Sequence, residues 1–325
     1  MKLKVWGSRG SITTPKNPED IEEKVRDSLN AFFDAGYSSR DHTEVFLANQ
    51  PQHKLGGYGG ETLCVQVSGA DDEDLIIDGG SGIRPFGYSK MAGPWGQGKG
   101  EIHLLFTHFH WDHICGLGFF IPLYIPGNKV HLYAVQPELE QMMQTIFQKP
   151  FFPVTTDDLG SEIIYHQLEP RTEVDINGFK VTPYELDHPD PCWGYRVEKD
   201  GKVFSHCSDS EATRITEKDL GDDLPLYHDV DVALVDAQFG LSDWVEKMNW
   251  GHASAPVVLE LLMTNNVKKV FFLHHDPTAS DEKVREAELA PREYYEKQLK
   301  QGRESGIEYN TVDWSYAYDG LEIEV

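Results

Sequence analysis

Positive charge is what this chain has least of. Lys and Arg total 29 against 54 Asp and Glu, a formal net charge of −25 at pH 7. A surface with that balance repels phosphate backbones, which argues against an extended nucleic-acid partner. It leaves room for a small anionic substrate, because bound metal ions reverse the field inside a cleft. Cysteine is also scarce. Cys64, Cys115, Cys192 and Cys207 form no Cys-x-x-Cys pair, so a disulfide framework is not expected. Apolar runs are short, and none approaches the roughly 18 residues that cross a bilayer. Met1 to Ile12 lacks the apolar stretch of a signal peptide. A cytoplasmic location without membrane contact is therefore expected. Gly79-Gly80-Ser81-Gly82 is not followed by the Lys of a phosphate-binding loop, which removes nucleoside triphosphate binding by that device.

What remains is an ordinary globular composition, 39% apolar and 26% charged over 325 residues. Lys2–Trp6 alternates as a strand and breaks at Gly7-Ser8-Arg9-Gly10. Asn17 reads as an N-cap before Pro18, and Ile21, Val25, Leu29 and Phe32 share one face of the helix that follows. That face needs a partner, because an isolated helix of this length is marginal in water. The active-site edge or a second subunit, as in a homodimer, would supply one. Thr62–Val67 and Leu75–Ile77 read as paired strands, the second ending at Asp78. Further strands are expected at 101–107, 179–186, 195–197, 203–206, 232–235 and 270–273. Helices are expected at 136–148, 255–263 and 280–301, the last interrupted at Pro291. Strand pairs flanked by helices, with no internal repeat, fit one layered α/β sandwich spanning 1–325 with a helical insertion at about residues 13–57.

The densest chemistry lies in Thr107-His108-Phe109-His110-Trp111-Asp112-His113, directly after a strand. Zinc takes imidazole nitrogens and carboxylate oxygens at about 2.0–2.2 Å. One short loop cannot wrap four such groups around a single tetrahedral ion. Dividing them, with His108 and His110 on one ion and Asp112 and His113 on another, is sterically easier. Two ions need more ligands. His188, Asp209, His274 and His275 all follow expected strands. Each alone is unremarkable, since a lone His is usually a surface or satisfied core residue and a lone Asp in a Ser-Asp-Ser turn is usually a cap.

The His-x-His-x-Asp-His run resembles the signature of the metallo-β-lactamase superfamily. A closer likeness, to a bacterial branch related to phosphodiesterases, rests on segments along almost the whole chain. They are Trp6–Ile12, Tyr58–Thr62, His110–Ile114, Phe151–Val154, His188-Pro189 with Gly194–Arg196, Gly251-His252 and His274–Pro277. The resemblance implies a four-layer αββα sandwich with its metal site where the two sheets meet at one edge. It implies two divalent ions, zinc first, with manganese or iron as alternatives. His108, His110 and His188 would hold the first ion. Asp112, His113 and a late histidine would hold the second, and Asp209 would bridge them. The late histidine is His275 or His274. His275 is preferred because the family usually carries a threonine–histidine pair there. Asp78 matches an aspartate that orients the main loop, and His252 a histidine that assists the leaving group.

Two ions about 3.5–4 Å apart can hold a bridging hydroxide near neutral pH. Asp112 and His252 are the residues expected to act in catalysis, and the expected substrate is a small phosphodiester, cyclic ones included. The alternatives are another ester, thioester or lactam, or processing of transfer RNA, which the −25 charge argues against. A di-iron oxidoreductase would have Glu where His110 stands, and a metal-bearing regulatory module would not keep the full ligand set. Arg9, Arg84, Phe151 and Phe152 are possible substrate contacts, but residues of their kind are more often structural or surface groups.

Overall fold

The computed structural model describes residues 1–70 and 73–325. The first half of the chain lays down the strands β1 (Lys2–Gly7), β2 (Cys64–Ser68), β3 (Asp74–Ile77), β4 (Glu101–Leu105), β5 (Lys129–Ala134) and β6 (Glu162–Gln167). The second half adds β7 (Val174–Ile176), β8 (Phe179–Glu185), β9 (Trp193–Lys199), β10 (Lys202–Cys207), β11 (Val230–Asp236), β12 (Val267–Leu273), β13 (Asp313–Tyr316) and β14 (Glu322–Glu324). Among the described residues these make two seven-stranded sheets, ordered β14-β1-β2-β3-β4-β5-β6 and β13-β12-β11-β10-β9-β8-β7. In the first sheet β3 to β6 run parallel and the rest antiparallel; in the second, β10 to β13 run parallel.

One apolar layer lies between the sheets, built from Val5, Val65, Leu105, Phe204, Leu234, Leu273 and their neighbours. The helices form the outer layers. They are α1 (Pro18–Asp34), α2 (Thr43–Ala48), α3 (Ile83–Lys90), α4 (Trp111–Ile114), α5 (Leu139–Ile146), α6 (Glu217–Leu220), α7 (Leu241–Glu246), α8 (Ala255–Thr264), α9 (Asp281–Leu289) and α10 (Pro291–Ser305). Phe86 of α3 and Met143 of α5 pack on the outer face of the first sheet, and Val258 and Leu262 of α8 on the outer face of the second. The result is the expected αββα sandwich.

Local signals explain much of this. Asn17 Oδ1 accepts from the Glu19 and Asp20 amides at 2.9 and 3.0 Å, and Asp20 returns the bond to the Asn17 amide, closing a capping box at the start of α1. Pro291 separates α9 from α10, as a residue without an amide proton should. The strands β5, β6, β7, β13 and β14 and the helices α3, α4, α6 and α7 are not among the elements expected from the sequence. β13 and β14 are edge strands of four and three residues, too short for an alternating pattern to register. α3 carries Pro85 and Gly87, which disguise a helix.

The insertion forms its own small aromatic cluster, with Phe32 edge-on to Phe46 at 5.3 Å and beside Tyr37. It is tied to the start of α9, where Lys16 and Lys24 reach Asp281 at 2.8 and 2.9 Å. The apolar face of α1 stays largely uncovered, with Ile21, Val25 and Leu29 each 53% exposed.

Candidate metal centre

Strands of both sheets deliver their following residues to one edge of the sandwich. β4 supplies His108 to His113, β8 His188, β10 Asp209 and β12 His274, while β3 supplies Asp78. Three of these residues, Asp78, Asp209 and His274, have left-handed backbones with φ of +65°, +58° and +62°. Residues with a Cβ rarely adopt that conformation, and it is commonly retained where function requires it. The break turns each side chain out of its strand's alternation and toward the edge.

Beside a three-residue group of Asp236, His252 and His274, two groups of four ligand-type residues result, each with its ligand atoms within 4.8 Å: His108, His110, His188 and Asp209, and Asp112, His113, Asp209 and His274. Asp209 belongs to both. Its carboxylate lies 3.2 Å from His113 Nε2, 3.2 Å from His274 Nε2 and 3.7 Å from His108 Nε2. Asp112 Oδ2 lies 3.0 Å from His274 Nε2 and accepts from the Ser11 amide at 2.7 Å. Asp78 braces the loop from beneath. It accepts from the Thr107 amide and hydroxyl and lies 2.8 Å from His113 Nδ1.

The electrostatics follow from crowding buried imidazoles against buried carboxylates. Burial works to raise Asp78, but the His113 and His206 rings outweigh it and hold the carboxyl at about 2. Asp112 and Asp209 are likewise held far below the usual carboxylate range, against burial, by the histidines facing them. Burial lowers His274, yet Asp209, Asp112 and Asp236 lift it to about 9. His113 is raised for the same reason, whereas burial and the His113 ring push His108 well below its usual value.

The sequence profile described as the beta-lactamase superfamily domain matches residues 76–275, which hold every residue of both groups. The chain belongs to this superfamily. A ribonuclease Z from Staphylococcus carnosus is 29% identical over 107 residues, 30% of this chain and 31% of that protein, so the likeness spans under a third of the relative. The structure of unliganded yeast PDE1 superposes with a TM-score of 0.62 at 17% identity, covering 100% of this chain and 99% of that one. A diphosphatase from the PhnP family superposes at 0.57 and 18% identity, covering 100% and 97%. At these identities the structures speak for the fold alone.

The superfamily fold implies divalent metal ions, and the residues present fit them. His108 Nε2 and His113 Nε2 are buried without a hydrogen-bond partner. A buried nitrogen in that condition costs free energy unless something binds it. Here both nitrogens are aimed at shared carboxylate oxygens, the donor set that zinc and its neighbours take.

The structure corrects the choice of late histidine. His274, not His275, joins the group. Phe271 and Leu273 face the inter-sheet layer and Phe272 the helices. After β12 the left-handed turn at His274 swings that ring to the edge, while His275 turns back under the helical layer. There its Nε2 lies 2.7 Å from the Ala317 carbonyl, its ring stacks on Tyr316, and burial lowers it to about 3. Gly10 makes the swing possible, since a Cβ there would lie 2.2 Å from His274 Nδ1.

His252 lies beside this centre. Its ring stacks 4.6 Å from His274, and its Nδ1 is 2.9 Å from Asp236 Oδ2. Asp236 is fully buried at the end of β11, and its Oδ1 accepts from the Gln238 and Ala253 amides. Sequence reasoning missed it, although it directly follows the expected strand 232–235, the same signal that pointed to His188 and Asp209. Gln238, 2.7 Å from His274 Nδ1, was missed with it.

The other four residues that the sequence singled out lie elsewhere. Arg9 is buried and spends its guanidinium on the Gly59, Asp276 and Ala279 carbonyls. Arg84 pairs with Glu61 at the surface. Phe152 packs edge-on against Phe119 and Phe147, and Phe151 is exposed.

Proposed function

We propose that this protein hydrolyses a small phosphodiester with two divalent ions, zinc in the cell. One observation carries the reading. Two ligand groups share Asp209, and an oriented Asp236–His252 pair stands directly beside them. His108, His110 and His188 would hold one ion and Asp112, His113 and His274 the other, with Asp209 common to both. Ions so held supply Lewis acidity toward a phosphoryl oxygen and toward water.

The chain's own residues do the rest. Asp78 fixes the His113 ring through Nδ1, which keeps Nε2 free as a donor atom. Gln238 does the same for His274. Asp236 occupies His252 Nδ1, so Nε2 is the atom left to pass a proton to a departing alkoxide. A thiolate leaves without a proton, so the pair favours a substrate with a more basic leaving group than a thioester's, such as the alkoxide of a diester. A cytoplasmic setting is part of this reading, and the −25 charge leaves room for a small anionic substrate because bound ions would reverse the field in the cleft.

Processing of transfer RNA is the second reading, supported by the likeness to ribonuclease Z and opposed by the chain's acidity. One panel tests both. Zinc- and manganese-loaded protein is offered bis(para-nitrophenyl) phosphate, cyclic nucleotides, cyclic sugar phosphates, a precursor transfer RNA and a chromogenic β-lactam. Turnover of the small diesters is expected. Cleavage of the RNA or the lactam without it refutes the proposal.

A further inference from the structure

Between Phe239 and Ala253 the chain leaves the body of the fold and returns to its starting point. The Phe239 amide donates to the Ala253 carbonyl at 3.0 Å and closes the base. A second tie, from the Gly251 amide to Glu211 Oε1 at 2.9 Å, pins the returning limb. The segment between carries α7 and an unusual share of exposed apolar surface. Leu241, Val245, Met248 and Trp250 are 49%, 58%, 54% and 64% exposed. Large apolar side chains grouped this way on a pinned loop usually mark a binding surface.

The loop abuts the candidate metal centre. Gly251, at φ +90°, passes so close to His188 that a Cβ would meet that ring at 2.2 Å. Phe239, at the base, sets its ring edge 5.6 Å from the His252 ring. Lys247 Nζ stands 4.2 Å from the Phe239 ring centre and 5.8 Å from that of Trp250. The centre itself is carboxylate-rich, with Asp112, Asp209 and Asp236 converging and Asp190 3.0 Å from His110. A cation held beside an exposed indole at that border suits a ligand that is both anionic and flat.

We propose that Trp250 and Lys247 determine specificity, the indole stacking on an aromatic group of the diester, such as a nucleobase or aryl ring, and the ammonium attracting its phosphate. The proposal rests on the diesterase reading and names its substrate class. Neither residue is a metal ligand, so metal content is a control rather than a readout.

Two measurements test it. The first is the preference for an aryl over an alkyl diester, taken as the ratio of kcat/KM values. In Trp250→Ala that ratio should fall by about tenfold, the size of one base–aromatic stack, mainly through KM, and Trp250→Phe should restore most of it. Lys247→Ala should weaken binding of both esters and reduce the salt dependence of KM. The second measurement is calorimetric binding of phenylphosphonate and methylphosphonate to the zinc-loaded protein, which needs no turnover. Trp250→Ala should erase the preference for the phenyl compound. If the wild type cleaves no diester, the proposed function fails and calorimetry alone decides this inference. Equal losses on aryl and alkyl compounds in Trp250→Ala, or no preference in the wild type, overturn it.

Discussion

Replacing His252 with Ala separates a proton donor from a metal ligand. The structure sets the terms. The ring meets the rest of the site through one polar contact, Nδ1 to Asp236 Oδ2 at 2.9 Å, and by stacking on His274. Truncation leaves that oxygen with only the longer contact to His274 Nδ1 at 3.4 Å, a cost of at most about 1–3 kcal/mol. Asp236 Oδ1 keeps its two amide donors at 2.9 and 3.1 Å, so the carboxylate stays in place and the domain stays folded. His252 is in neither four-residue ligand group, only in the smaller one with Asp236 and His274, so the metal content of the two main groups should match the wild type. The loss should fall on chemistry. A positioned general acid contributes about 10²–10⁴ in rate, equivalent to about 3–5 kcal/mol of barrier. That loss should be seen with a diester whose leaving group is an alkoxide. Para-nitrophenolate departs without a proton, so bis(para-nitrophenyl) phosphate should lose far less. Elemental analysis beside steady-state kinetics on both esters makes the comparison. Loss of metal, or equal loss on the two esters, refutes the assignment. Asp236→Asn should reproduce the same leaving-group contrast in weaker form, since it frees the ring to turn and to change tautomer.

Three further outcomes follow from the site. The purified or zinc-reconstituted protein should hold close to two equivalents of metal by elemental analysis, and Asp209→Ala should reduce this, because that carboxylate belongs to both ligand groups. His274→Ala should lose metal, whereas His275→Ala should keep it and lower the melting temperature, because His275 is a buried ring bonded to Ala317; the reverse pattern would restore His275 as the ligand. Carboxylates hold His274 at about 9 in the metal-free fold, against about 6.5 in an unfolded chain. A raised value stabilises fully below about pH 6.5 and is lost as pH climbs through about 9. The melting temperature of metal-free protein should therefore fall across that range, and zinc, which replaces the proton, should flatten the slope.

The sequence by itself determined the ingredients. His108, His110, Asp112 and His113 pack four ligand types into six residues, and no fold is needed to see that one short loop cannot wrap them all around a single ion. Asn17, Pro18 and Pro291 act within a turn of themselves, so the capping box and the helix break were legible too. Strand ends preceding His188 and Asp209 pointed to the edge where they are found. What tertiary structure decided were meetings between distant segments and the direction a side chain takes on leaving a strand. His274 and His275 are adjacent and chemically identical. Only a left-handed backbone at the first, and the space left by Gly10 in the loop after β1, send one to the metal edge and the other beneath a helix. Asp236 has one local mark, its place directly after the expected strand 232–235, and nothing in the sequence pairs it with His252. It becomes part of the site because β11 lies between β10 and β12, and because the loop it begins returns His252 to within 2.9 Å. Periodicity and capping reach three or four residues along the chain, whereas this pairing spans sixteen and is closed by sheet order.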